Sequence, residues 1–300
     1  MKKETLGTIF AIITAIISGI AIPLNKIFIV NIDPLIFTAI RSIIIGTVFL
    51  FISLSAKKID KKFKVKLPHL LLIALVGGAL AFYIYFSGLK MTTGGRAAFL
   101  HKTLPLYVAL LSFIFLKEKI DKKLMIAIFL MFMGTISIYY GQIKPSQLWQ
   151  DPKTGDLLVI TATFLWAVEN IIAKKVMNQG LHNFIVSFSR MFFGGLILIG
   201  FASLTGKLSM INQLDFIQIR NIMLSTLILF SYVFFWYSSI RLINVSKATT
   251  FLLISPVISL LLGMILLNED FTYLQLFGSF LILIGSYFSI KTKSETLERV

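Results

Sequence analysis

The 300-residue chain holds few side chains that do chemistry, and none is cysteine. Disulfides, thiol nucleophiles and thiolate metal sites are therefore excluded. Its three histidines, His69, His101 and His182, share no metal-ligand spacing. What remains is a small set of polar groups embedded in long apolar runs. Glu169 shares a helical face with Trp166, Asn170 and Ala173, one turn before Lys174. Its carboxylate either neutralises Lys174 or another basic neighbour, or accepts a proton or binds a cationic group. His101, Lys102 and Thr103 precede Pro105. Proline cannot bond the carbonyl four residues back, so the main-chain oxygen of His101 is freed there. An imidazole beside a broken helix can titrate near neutral pH. The alternative is a packed kink with Lys102 snorkelling outwards. Tyr83, Tyr85, Tyr232 and Trp236 either pack and belt the membrane interface or stack on apolar groups of a solute.

The elements that must position these groups are transmembrane helices. Hydrophobic residues make up 57% of the chain and charged ones 14%, far from the roughly one-quarter charged mixture of soluble domains. Apolar runs near the ~20 residues that cross a bilayer recur throughout. The expected spans are 5–30, 34–54, 68–89, 95–116, 122–140, 155–176, 184–204, 220–241, 247–267 and 272–290. The apolar stretch from Leu6 to about Leu24 is too long for a secretory signal, so it is read as a retained first helix. Glu169 is then the one acid set well inside a span, and an ionisable group there is a functional candidate. The net charge of +16 comes from lysines in short loops, which mark topology and argue against nucleic-acid binding. With a cytoplasmic N-terminus, nineteen Lys and Arg fall inside and six outside. The positive-inside rule then places both termini in the cytoplasm of a multi-pass plasma-membrane protein.

An internal repeat divides the chain at the polar seam 142–153. A shift of 151 residues lays 85–138 on 236–289, matching Ser87 with Ser238, Lys90 with Arg241, Arg96 with Lys247, Pro105 with Pro256, Glu118 with Glu269 and Gly134 with Gly285. A shift of 149 pairs Arg41 with Arg190, and 148 pairs Lys26 with Lys174. Each unit, 1–144 and 145–300, carries five spans, and an odd number inverts the second copy. The lysine-rich loop 117–123 against the lysine-free 268–271 agrees with that inversion. The fold class expected is an all-α membrane protein of ten helices in two inverted five-helix repeats. Such repeats are typical of secondary transporters working by alternating access.

These residues also carry a resemblance. Arg41, Pro105, Glu118 and Gly134 in one unit, and Arg190, Pro256, Glu269 and Gly285 in the other, with Trp166 and Lys174 in the sixth helix, resemble the pattern of EamA-type transporters of the drug/metabolite transporter superfamily. Ser18 stands where the first unit usually has the aromatic residue. The resemblance covers almost the whole chain. It implies export, or less often uptake, of small metabolites such as amino acids, through a cavity lined mainly by the third, fourth, eighth and ninth helices.

The substrate and coupling set expected is Glu169, Asn170, Trp166, His101, Lys102, Tyr85, Trp236 and Tyr232, with His101 or Lys102 balancing Glu169. Pro105 and Pro256 are expected as hinges. At the places of His101, Lys102 and Thr103 the ninth helix has Leu252, Leu253 and Ile254, so polar chemistry is expected in one copy only. Arg41, Arg190, Glu118 and Glu269 are read as structural, and the pairs Gly77–Gly78 and Gly194–Gly195 as close helix contacts. The expected partners are a small-molecule substrate and the lipid bilayer, with energy from an ion gradient, protons being one candidate ion, or from the substrate's own gradient; no cofactor or metal is expected. No Walker-type phosphate loop supplies ATP. The rival reading, a membrane-embedded enzyme or lipid-handling protein, would need a clustered nucleophile–base or ligand set.

Overall fold

A computed structural model describes residues 3–56, 58, 61–143, 153–267 and 272–295. Among these residues ten helices are long and apolar enough to cross a membrane. They are α1 (Lys3–Phe28), α2 (Pro34–Ser55), α3 (Lys62–Met91), α4 (Gly94–Leu116), α5 (Lys122–Gly141), α6 (Thr154–Asn178), α7 (Asn183–Leu204), α8 (Phe216–Leu242), α9 (Val245–Leu262) and α10 (Tyr273–Lys291). Each falls on one expected span. Two begin four or more residues earlier than expected, for local reasons. In α3 the lysine-rich turn ahead of Pro68 continues the helix. In α8 the Asp215 carboxylate accepts from the Gln218 N–H at 2.7 Å while the Gln218 side chain accepts from the Asp215 N–H at 3.0 Å, a capping box that satisfies two otherwise unpaired donors. Asp33 caps α2 through the Leu35 N–H at 2.9 Å, with Pro34 in the first turn, where it forfeits no helical bond.

Helices α2 and α7 pack along each other, as do α5 with α10, α1 with α8, and α3 with α6. Exchanging the first five helices for the last five leaves this set of pairings unchanged.

Side-chain contacts repeat in the same way at the two faces. Near the end of α1, Lys26 donates to the carbonyls of Leu89 and of Thr92, the latter at 2.7 Å. Lys174 of α6 donates to the carbonyls of Ile240 and Ile243 at 2.7 and 2.8 Å, each acceptor 151 residues further on. Arg96 pairs with Asp156 in the first turn of α6. Its counterpart Lys247 pairs with Glu4 in the first turn of α1 at 3.0 Å. The first member of each pair of contacts lies on the face opposite the termini. The second lies on the terminal face, where Lys247 also donates to the carbonyl of Thr292 at 2.6 Å.

Helices α4 and α9 are both interrupted. In α4 the helix stops at His101 and resumes at Leu104, with the Thr103 hydroxyl donating to the Leu100 carbonyl at 2.7 Å. In α9 a tighter 3-10 turn occupies Leu252–Ile254, the matching positions, immediately before Ser255 and Pro256. The regular helix is thus interrupted just before each proline. Glu118, just after α4, accepts from the backbone N–H groups of Val245 and Ser246 at 2.8 and 3.0 Å and from the Ser246 hydroxyl at 2.5 Å. It therefore caps the N-terminus of α9, where backbone donors have no helical partner. Glu269 lies outside the described residues.

Candidate functional site

Midway along the spans, the helices enclose a cavity of about 90 Å³ lined from α1, α2, α3, α4, α6, α7 and α8. Several water-sized volumes fit within it, so it suits a small solute. The lining differs from the one the resemblance implies: among the described residues α9 contributes none of it, whereas α1, α2, α6 and α7 do.

The α6 face builds one wall. Trp166 and Asn170 line the cavity, and both are fixed by hydrogen bonds. The Trp166 indole N–H donates to the Gly77 carbonyl at 3.2 Å, and the Asn170 side-chain oxygen accepts from the Trp236 indole at 2.8 Å. Tyr232 stacks on Trp236 with ring centroids 6.2 Å apart. Tyr85 packs against Trp166 at 5.1 Å. All four rings are expected site residues, and the structure brings them to one cavity. Tyr83 instead packs edge-on against Phe201, away from it.

Gly77 is acceptor to two side chains because α3 changes its winding there. Residues Ala74–Leu80 form a π-helical segment, and the Ala81 N–H donates to Val76, five residues back. Gly77 thereby loses its α-helical donor, and its carbonyl is open to side chains, a device often found at functional sites. Besides Trp166 it accepts from Arg190 Nε and Nη2, both at 3.4 Å. The glycine pair is more than a generic close contact. A Cβ on Gly77 would stand 2.2 Å from the Glu169 Cγ, and one on Gly78 would stand 2.0 Å from the Arg190 carbonyl oxygen. Both glycines seat the charged pair of α6 and α7.

That pair is Glu169 with Arg190, and it corrects two expectations. Glu169 is 0% exposed and is absent from the cavity lining; it lies one layer behind it. The Tyr237 hydroxyl donates to Glu169 Oε1, and Arg190 Nη1 stands 3.9 Å from Oε2 and donates to the Tyr237 hydroxyl at 3.2 Å. Neither Lys174 nor His101 nor Lys102 balances the carboxylate. Lys174 is committed to the Ile240 and Ile243 carbonyls. Lys102 is buried and donates to the Ser18 hydroxyl at 3.0 Å, so it neither snorkels outwards nor lines the cavity itself. Ser18, read as a small departure from an aromatic residue, is thus the acceptor for a buried lysine. His101 does line the cavity, edge-on to Tyr85 and Trp166, and its Nδ1 has no hydrogen-bond partner.

Arg41 and Arg190, expected as architecture, both line the cavity. Arg190 does tie helices together, through Gly77. Arg41 makes no comparable tie by hydrogen bond: it is 1% exposed, and its Nε and Nη1 have no hydrogen-bond partner. Its guanidinium stacks over Phe37 and Phe86 at 4.6 and 4.9 Å from the ring centroids. Sequence reasoning also passed over Asn25, whose side-chain oxygen accepts from the Ser225 hydroxyl at the cavity edge. The one signal available for Arg41 was its place within a span.

Comparison with known proteins gives a consistent result. A solved crystal structure superposes on this chain with a TM-score of 0.73 at 16% identity, covering 94% of this chain and 95% of the other, which shows a shared fold. Among curated proteins, an uncharacterized transporter of Archaeoglobus fulgidus is 28% identical over 92% of this chain and 95% of its own. The uncharacterized transporter YetK of Bacillus subtilis is 24% identical over 98% and 90%. A probable amino-acid metabolite efflux pump of Salmonella typhimurium is 22% identical over 93% of each. The EamA-like transporter family matches residues 5–140 and 153–291. With ten membrane-spanning helices and that match over nearly its whole length, the chain is a membrane transporter and belongs to the EamA-like transporter family.

Proposed function

We propose that this protein is a secondary transporter that exports small organic metabolites, amino acids among them, through the central cavity by alternating access of two inverted five-helix repeats, 1–144 and 145–300. The carrying observation is a charged and aromatic cavity at mid-span with matched contacts above and below it. On one face Lys26 and the Arg96–Asp156 pair tie α1 to α3 and α4 to α6. On the terminal face Lys174 and the Lys247–Glu4 pair make the corresponding ties. Opening one set while keeping the other exposes the cavity to one side at a time, as alternating access requires. The breaks in α4 and α9 at Pro105 and Pro256 are the hinges on which the half-helices swing. The efflux activity named for the Salmonella relative supports export. The lysine distribution supports a plasma-membrane location with cytoplasmic termini.

Coupling to protons is assigned to Glu169. It is the buried carboxylate of the network, and Arg190 and Tyr237 link it to the cavity wall. The test is flux of radiolabelled metabolites in proteoliposomes, with and without a pH gradient. The reading expects saturable flux, with gradient-driven accumulation lost in Glu169→Gln and simple exchange retained. Accumulation by that variant with the normal pH dependence would make Glu169 structural. A reporter active only outside the membrane should be silent after Lys293 and active at Ser146, and the reverse would overturn the topology.

A further inference from the structure

The two halves treat their matching arginines differently. The 148-residue correspondence that sets Lys174 on Lys26 sets Glu169 on Ala21, and the 151-residue one sets Tyr237 on Phe86. Arg190 therefore has a carboxylate and a phenol, whereas Arg41 has a methyl group and a phenyl ring at the same two places. The consequence is visible in the contacts. Arg190 meets Glu169, Tyr237 and the Gly77 carbonyl, while Arg41 leaves Nε and Nη1 without partners and rests on two aromatic faces. Ala21 and Arg41 both line the central cavity, so the space where the second half keeps its carboxylate is, in the first half, cavity.

We propose that Arg41 is the receptor for a single carboxylate group of the transported solute, which occupies the position that Glu169 holds in the other half. This rests on the transporter reading above and names its substrate class. An arginine cannot shed its proton, and a cation in a membrane interior with no counter-charge is unfavourable. Aromatic faces offset only part of that. A bound carboxylate completes the ion pair, and its two oxygens match the guanidinium fork. One carboxylate is the right complement because the other cations are provided for. Arg190 has Glu169, and Lys102, which can release its proton as arginine cannot, is bonded to Ser18. Among the described residues no Asp or Glu lines the cavity, so an amino group on the solute meets no carboxylate there and is not required. The body of the solute packs against the rings of Tyr85, Trp166 and Trp236.

The probes are benzoate and isobutyrate, each against its neutral amide, with phenyl phosphate as a dianion, added to the purified full chain in detergent. Two of the three tryptophans, Trp166 and Trp236, line the cavity, so tryptophan emission reports binding and the melting temperature provides a second readout. Both acids should shift emission and raise the melting temperature at concentrations about tenfold or more below those of their amides, as a charge-assisted hydrogen bond implies. Arg41→Gln should fold, melt higher than the wild type without ligand, and bind acid and amide alike. Ala21→Glu should supply the missing counter-charge internally and likewise lose the acid response. Wild-type protein that ignores both acids, or prefers phenyl phosphate, overturns the assignment. So does an Arg41→Gln protein that keeps the preference or fails to fold. If Ala21→Glu does not fold, the Arg41→Gln result decides. Liposome flux separates this from the transporter reading. Flux confined to neutral or cationic solutes sinks the Arg41 assignment alone, and acid binding without flux of any solute sinks the transporter reading alone.

Discussion

Replacing Glu169 by Gln removes the charge that faces Arg190 and keeps the shape that fills the space over Gly77. The pair is almost wholly buried, at 5% and 0% side-chain exposure, and only the edge of Arg190 reaches the cavity, so the arginine left behind regains little hydration. Stripping one partner from a buried ion pair costs about 3–5 kcal/mol. At about 2 °C per kcal/mol for a long chain, the melting temperature should fall by roughly 6–10 °C. Arg190→Met should cost a similar amount, because it strands the carboxylate and leaves the Gly77 carbonyl with fewer donors. The double variant should cost far less than the sum, since neither charge is then stranded. A coupling of at least ~1.5 kcal/mol is expected for groups in one network. The assay is thermal unfolding of the four proteins in the same detergent, followed by loss of the monodisperse chromatographic peak. Additivity of the two single effects to within ~0.5 kcal/mol would show that the 3.9 Å approach carries no interaction.

Other consequences follow from single contacts. Glu118→Gln should destabilise the protein by about 1–2 kcal/mol, the loss typical of a helix cap, because it weakens acceptance from the Val245 and Ser246 N–H groups; an unchanged melting temperature would contradict the capping role. His182, between α6 and α7, accepts from the Phe184 N–H at 3.3 Å, and burial and then the neighbouring Arg241 and Lys58 push its imidazole down from 6.5 to about 4. Between those values the unfolded chain takes up a proton that the folded one refuses, so stability should be constant above pH 6.5 and decline as pH falls towards 4. His182→Asn, which keeps a capping side chain, should flatten that decline in acid melts. Pro105→Ala and Pro256→Ala should each insert normally and slow flux, because a continuous helix swings less readily at the break; equal rates in both single variants and the double would remove the hinge role.

The membrane plan was legible because it is written in composition: a helix in lipid must be apolar for about twenty residues whatever it packs against. A structural role for Glu118 was also legible, as an acid just beyond a helix, although the start of α9 that it caps was not. Trp166, Asn170 and Glu169 could be placed on one α6 face from spacing alone. Which layer each occupies could not, and Glu169 turned out to lie behind the lining. Pairing between helices escaped for the same reason. Nothing in the order of residues says that Arg190 meets Glu169 or that Lys102 meets Ser18. The π-helical winding that frees the Gly77 carbonyl has no sequence signature beyond two adjacent glycines. The match of Arg41 to Arg190 suggests a shared duty, and their different contacts come from the neighbours, Ala21 for Glu169 and Phe86 for Tyr237.

Solute is expected to cross through the cavity between the two sets of gating contacts. The most direct test of that route is counterflow of a radiolabelled panel of amino acids and simple carboxylates into liposomes holding the purified protein, compared with Ile228→Trp, which places an indole into the cavity without touching an ion pair. Saturable counterflow of at least one carboxylate is expected in the wild type, with nearly all of it lost in an Ile228→Trp protein that remains folded. Undiminished counterflow with the cavity filled would mean that solute takes another route.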